Sequence, residues 1–211
     1  MRNWMPPEWA PHQRIFMEWP VPETVWGKRL HEARAAYAEV ARAIREFEPV
    51  TVILNPGDED EAADLLGPEI DILTIPHDDS WMRDNGPTFV WAGEKRNLSA
   101  VHWGFNAWGS KYPKYALDRE VPTHLLSGLG IPEQRAPIIL EGGSIHTNGA
   151  GTPLTTAECL LNPNRNPDFT KESIEEILRE YLGVSRILFL PTGLYMDETD
   201  VYWMDVEDFY Q

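Results

Sequence analysis

At 211 residues, 42% of them hydrophobic and 11% aromatic, the chain is long enough to bury a sizeable core as a globular protein. The 34 acidic against 18 basic residues leave a formal net charge of -16, which disfavours nucleic acid and anionic membrane surfaces and favours a cationic small molecule as partner. The single cysteine, Cys159, excludes an internal disulfide framework. With no basic-then-apolar secretory start and no run near the ~18 apolar residues of a membrane span, a cytoplasmic protein is expected.

In chain order, Glu23 to Glu48 places Leu30, Ala33, Tyr37, Val40, Ala41, Ile44 and Phe47 at helical spacing, with Thr24 as N-cap and Pro49 as stop. Val50 to Leu54 reads as a buried strand closed by Asn55-Pro56-Gly57. A short helix (Glu59 to Leu66), a strand (Ile70 to Ile75), a strand pair around Trp91 to Glu94, and a helix from Val121 to Gly128 follow. Pro137 to Leu140 reads as a strand leading to a hairpin with its turn at Asn148-Gly149-Ala150-Gly151. Thr170 to Leu182 is helical with Gly183 as C-cap, and Arg186 to Leu190 is an apolar strand. The helix-then-strand order at both ends predicts a modular α/β fold. The stretch from Gly104 to Arg119 has neither period and reads as an aromatic, glycine-rich loop that is either functional or tied down by its own rings.

Two segments concentrate chemistry. His77-Asp78-Asp79-Ser80-Trp81-Met82-Arg83-Asp84-Asn85-Gly86-Pro87 sets acids beside a tryptophan, a combination that suits a planar cation through charge-assisted hydrogen bonds and a cation–π wall. The alternative is a solvated network in which Arg83 pairs with Asp78 or Asp79. Leu140-Glu141-Gly142-Gly143-Ser144-Ile145-His146 puts a glutamate at a strand end before two glycines, where a ligand can approach the backbone. It can also be an ordinary strand exit with a solvated acid. His146 reads as a satisfied structural histidine. His77, Asp78, Asp79 and Glu141 lack metal-ligand spacing, so no metal is expected. Cys159, in the apolar, strand-like run Ala157 to Leu161, reads as a small buried hydrophobe.

Together the motifs resemble the agmatine deiminases, relatives of the bacterial-type peptidyl-arginine deiminases. The resemblance rests on Met5-Pro6-Pro7-Glu8-Trp9-Ala10-Pro11-His12 with Glu18-Trp19-Pro20, on Asp79 to Thr88, on Trp103 to Gly109, on Leu140 to His146, and on Glu158 to Pro167. It implies a pentein fold, a propeller-like ring of ββαβ modules, of which this length supplies about three of five as one partial domain over residues 1–211. It implies agmatine as the guanidino substrate, hydrolysed to N-carbamoylputrescine and ammonia in putrescine biosynthesis without a cofactor. It carries Asp84 over as the guanidinium-binding aspartate, Glu141 as the active-site glutamate and Trp81 as the aromatic beside the substrate.

The family's Asp-Glu-Thr-Asp-Gly-His-x-Asp segment aligns with Asp197 to Met204, where Tyr202 stands for the histidine and Met204 for the aspartate. The match fails over 201–211, and the chain ends before the family's nucleophilic cysteine. Tyrosine, with an ordinary pKa near ~10, does not replace histidine as a proton shuttle. The expectation is therefore a deiminase-family chain short of full activity. Its alternatives are a non-catalytic guanidinium-binding or vestigial fragment and a peptidyl-arginine deiminase. A homo-oligomer is compatible with each.

Overall fold

The computed structural model describes residues 3–21 and 26–193, so Thr24 and the segment from Asp197 onward lie outside the described residues. Among the described residues three sheets form, and each contains at least one parallel strand pair bridged by a helix. In the first, β2 (Ile15–Glu18), β3 (Val50–Leu54) and β4 (Asp71–Thr74) are all parallel, with α1 (Leu30–Arg45) crossing from β2 to β3 and α2 (Glu59–Leu66) from β3 to β4. In the second, β1 (Asn3–Trp4), β5 (Thr88–Ala92) and β6 (Asn97–Gly104) are antiparallel neighbours. There β7 (Glu133–Ile139) joins β6 in parallel after α5 (Val121–Leu129). In the third, β8 (Ile145–Thr147) pairs antiparallel with β9 (Pro153–Thr156), and α7 (Lys171–Leu182) carries the chain to β10 (Leu188–Leu190), parallel to β9. The modular α/β expectation holds, with a third unit at α5 that the sequence reading had not paired with the other two.

Strand β3 is covered on both sides. Val52 and Leu54 face Ala38 and Ala41 of α1 and Ala62 and Leu66 of α2, while Ile53 on the opposite face meets Ile75, Val121 and Leu125. Both faces being apolar explains why the strand reads as a continuous hydrophobic run. The alanine face of α1 lets the helix sit close to the sheet. Its wider expected stripe is corrected here, because Val40 is 51% and Phe47 87% exposed. Helix α1 also starts later than Glu23, at Leu30 after a 3-10 turn at Gly27–Arg29. A second correction concerns Ala157–Leu160, which forms a one-turn helix, α6, because the Thr156 hydroxyl accepts from the Cys159 N–H at 3.2 Å.

The third unit packs α7 through Ile174, Leu178 and Leu182 onto Val90, Val101, Trp103, Ile138 and Leu140. Thr170 and Ser173 form a reciprocal cap at its start, and Gly183 ends it in the left-handed region at φ 69°. A Cβ on Gly183 would lie 1.6 Å from the Asn3 carbonyl oxygen, so this glycine is required both by its conformation and by the docking of the N-terminal strand. Gly130, with φ 66°, ends α5 in the same way but faces open space. Gly130→Ala is therefore expected to cost ~1 kcal/mol for the strained backbone alone, and Gly183→Ala clearly more. Urea denaturation of the two variants checks this, and equal losses would contradict the docking of Asn3 and Trp4 against the end of α7.

Candidate functional site

The chain leaves β4 through an irregular segment, residues 75–81, that buries polar side chains by pairing each of them. The His77 ring nitrogens lie 3.0 Å from the carbonyls of Ile75 and Trp19, and its backbone N–H and C=O bond the Asn55 amide at 3.0 Å each. Asp118, at the start of α5's entry turn, accepts the N–H groups of Asp78 at 2.6 Å and Asp79 at 3.1 Å. Asp79 in turn accepts the Ser80 N–H and the Trp81 indole N–H, both at 2.8 Å. Trp81 is thereby fixed through its ring nitrogen. Arg83 pairs with neither Asp78 nor Asp79: it reaches back to Glu8, whose carboxyl it holds below the usual range.

After Trp81 a single helical turn, α3 (Met82–Asn85), presents Asp84. The strand exit at Ile139 leads to Glu141, which begins a tight turn at Gly142–Ser144 before β8. The two segments touch without side chains between them. A Cβ on Gly142 would fall 2.2 Å from the Arg83 carbonyl oxygen and one on Gly143 2.4 Å from Asp84 Oδ1, while the Gly143 N–H donates to that oxygen at 2.9 Å. The glycine pair serves a close approach, but the partner that approaches is α3 and not the ligand expected there. It brings together Trp81, Asp84 and Glu141, residues that the sequence had placed in two separate segments.

Burial pushes the Asp84 carboxyl above its usual range. The Gly143 N–H opposes that rise, and the charge of Glu141 adds to it. Glu141 is not a solvated strand-exit acid, since it is only 2% exposed. The Arg165 Nε–H donates to its Oε1 at 2.8 Å, a partner that the sequence reading missed although Arg165 lies in one of the motifs it used.

A wall of rings closes one side. Trp108 meets Trp81 edge-on with centroids 4.8 Å apart and an interplanar angle of 82°, and Phe105 and Tyr112 pack against Trp108. This is the work of the aperiodic 104–119 stretch. Its turn α4 (Ala107–Ser110) runs through four consecutive positive φ values: 50°, 55°, 87° and 64°. For the three non-glycine residues that conformation costs ~1–2 kcal/mol each, so neighbouring contacts must hold it. The rings, together with Asp79, Lys114 and Asp118, line a small hollow beside Trp81.

His146, read as a satisfied structural histidine, has partners near the surface. Its side chain is half exposed, 3.5 Å from the Glu8 carboxylate and beside Trp9. Cys159 is half-buried in α6, in a different segment from Asp84 and Glu141. Among the described residues no three His, Cys, Asp or Glu side chains converge to hold a metal ion.

Beneath the wall, Glu18 and Asp118 are each 1% exposed. Burial drives the Glu18 carboxyl well above the usual range, with the charge of Asp118 adding, although the Asn85 amide donates to both of its oxygens. Asp118 is pushed up to about 7, chiefly by burial, against the pull of the Asp78 and Asp79 N–H groups. Between the ordinary value of 3.8 and about 7 the folded chain holds this proton and the unfolded chain does not. Rising pH therefore lowers stability across that window, by up to ~1.4 kcal/mol per pH unit, and the loss is complete above it. Asp118→Asn keeps an acceptor for both N–H groups and removes the ionisation. The variant is expected to gain on the parent when urea denaturation is repeated at about pH 8 instead of about pH 5. A stability difference independent of pH would show that Asp118 is not the group titrating.

Comparison with known proteins agrees with this architecture. The model of the Porphyromonas-type peptidyl-arginine deiminase family matches residues 4–209. A relative from Legionella pneumophila (strain Paris) is 47% identical over 208 residues, covering 98% of this chain and 60% of its own. The agmatine deiminase of Stutzerimonas stutzeri (strain A1501) is 46% identical over 203 residues, covering 93% of this chain and 55% of that protein. The solved agmatine deiminase of Enterococcus faecalis superposes with a TM-score of 0.86 at 35% identity, covering 90% of this chain and 53% of that one. The chain therefore spans between about half and three fifths of the length of these relatives. With the pentein-type α/β architecture shared and the family model matched across nearly all its residues, the chain belongs to the Porphyromonas-type peptidyl-arginine deiminase family, alongside the agmatine deiminases.

Proposed function

We propose that the chain forms the guanidinium-binding part of an agmatine deiminase site, as one partial pentein domain, with Asp84 and Glu141 holding the cation and Trp81 lying along it. The observation that carries this reading is the juxtaposition of two carboxylates across the Gly142–Gly143 contact, beside the edge-to-face Trp81–Trp108 pair. Like charges brought together and buried are costly, and Asp84 registers that cost as a raised pKa. A guanidinium relieves it. Its planar fork of N–H donors can span two carboxylates, it stays protonated at neutral pH, and its face suits an indole.

Held flat between the acids, the central guanidino carbon is open to attack from above the plane. In the deimination that the family resemblance implies, a thiolate adds to that carbon and the tetrahedral adduct expels ammonia with a proton from a general acid. Water then cleaves the S-alkylthiouronium to release the ureido product and the thiolate. For agmatine the balance is agmatine plus water giving N-carbamoylputrescine and ammonia, a cytoplasmic step toward putrescine. Asp84 and Glu141 bind and orient the cation in this scheme, and the same two carboxylates stabilise the positive charge of the thiouronium that forms when ammonia leaves. Neither the thiol nor the general acid of this scheme is assigned to a described residue. With Tyr202 and Met204 at the histidine and aspartate positions, turnover by the 211-residue chain alone is expected to be below that of a full-length relative.

Titration calorimetry with agmatine tests the binding reading. Asp84→Ala is expected to weaken binding at least ~10-fold, the order of a lost charge-assisted contact. Because the ligand selects ionised Asp84, parent affinity should rise with pH through the elevated range of that carboxyl. Equal heats for parent and variant would sink the proposal, and ammonia release from agmatine measures turnover separately.

A further inference from the structure

Arg165 touches both halves of the site. Its Nε–H donates to Glu141 Oε1 at 2.8 Å, with the two side chains 10% and 3% exposed, and its Nη1 donates to Asn164 Oδ1 at 2.6 Å. Among the described residues Glu141 Oε2 accepts no hydrogen bond, so the arginine occupies one oxygen and leaves the other for a ligand.

From Asn164 the connection runs to the aromatic wall. The Asn106 amide donates to the Asn164 carbonyl at 2.8 Å, and Asn106 Oδ1 accepts the Gly109 N–H at 2.9 Å. At Gly109 a Cβ would fall 2.4 Å from Asn164 Nδ2 and 2.9 Å from Arg165 Nη1, so both side chains press directly on the left-handed turn. Ala107, Trp108 and Ser110 have no intrinsic preference for that conformation, and the contacts of Asn164 and Arg165 add a distant constraint to the local bond from Asn106.

We propose that Arg165 is a positioning residue for both parts of the guanidinium site: it sets Glu141 through Oε1 and, with Asn164, holds the left-handed turn that sets Trp108 against Trp81. The guanidinium of the chain itself thereby orders the acid and the ring that meet the guanidinium of the ligand. The Glu141 half of this assignment rests on the binding reading given above, whereas the Trp108 half does not.

Two measurements separate them. The first is agmatine calorimetry on the parent, Arg165→Gln, Glu141→Gln and the double variant. Arg165→Gln is expected to weaken binding at least ~10-fold in the parent and less than about twofold when Glu141 is already Gln, because the arginine acts through that carboxylate. The same fold-loss in both backgrounds would overturn the Glu141 half. The second is ligand-free circular dichroism. The exciton signal of the Trp81–Trp108 pair, identified as the one that Trp108→Phe removes, is expected to collapse in Arg165→Gln, and its survival would overturn the Trp108 half. If the parent binds no agmatine, the binding reading and the Glu141 half fall together while the dichroism decides the Trp108 half. Should Arg165→Gln not fold, Arg165→Lys takes its place in both measurements. Lysine keeps the charge without the two-ended fork, so it should retain more affinity than Gln where that folds, but still lose the exciton signal.

Discussion

The site depends on one contact between backbones. Gly142 and Gly143 lie against the turn Met82–Asn85 so closely that a single methyl at either position would overlap it, and the Gly143 N–H bonds Asp84 in the gap. Everything else follows from that approach. It brings the end of the second sheet's last strand against the segment leaving the first sheet, and so joins Glu141 to Asp84 and Trp81, residues 57 or more positions apart in sequence. Side chains could not substitute for the two glycines, because the contact leaves no space for them.

The approach also concentrates negative charge out of water. Asp84 sits above its ordinary pKa under the influence of burial and Glu141, Asp118 near 7, and Glu18 well above the carboxylate range. In a chain of net charge -16 these acids gain little from their surroundings, and they are held by backbone N–H groups and amides more than by cations. Arg165 is the exception, paired directly with Glu141. Such an arrangement lowers the stability of the empty protein and favours an arriving cation, a balance that active sites repeatedly strike.

The elements with local signals were legible in the sequence. Strand Val50–Leu54, helix Glu59–Leu66 and the helix capped by Thr170 and Gly183 fall where apolar period and capping residues put them. What failed was what depends on distant neighbours. Val40 and Phe47 fit a helical stripe, yet α1 meets its sheet through alanines and leaves them in solvent. The partner of Arg83 is 75 residues away, so the nearby aspartates misled. Glu141, Asp84 and Trp81 stood out as candidates by residue type and motif, but their juxtaposition did not, because it is written in the space the two glycines leave open. The left-handed turn at Ala107–Ser110 was illegible for the same reason: alanine, tryptophan and serine have no preference for positive φ, and Asn164, which presses on the turn, lies 58 residues beyond the Asn106 that bonds it.

A crystal structure of the chain with agmatine bound tests the central claim most directly. The account predicts the guanidinium lying flat between Asp84 and Oε2 of Glu141, against the Trp81 ring, with Arg165 still on Oε1. A guanidinium seated instead in the hollow beside Asp79 and Asp118, or one that displaces Arg165 from Glu141, would contradict it.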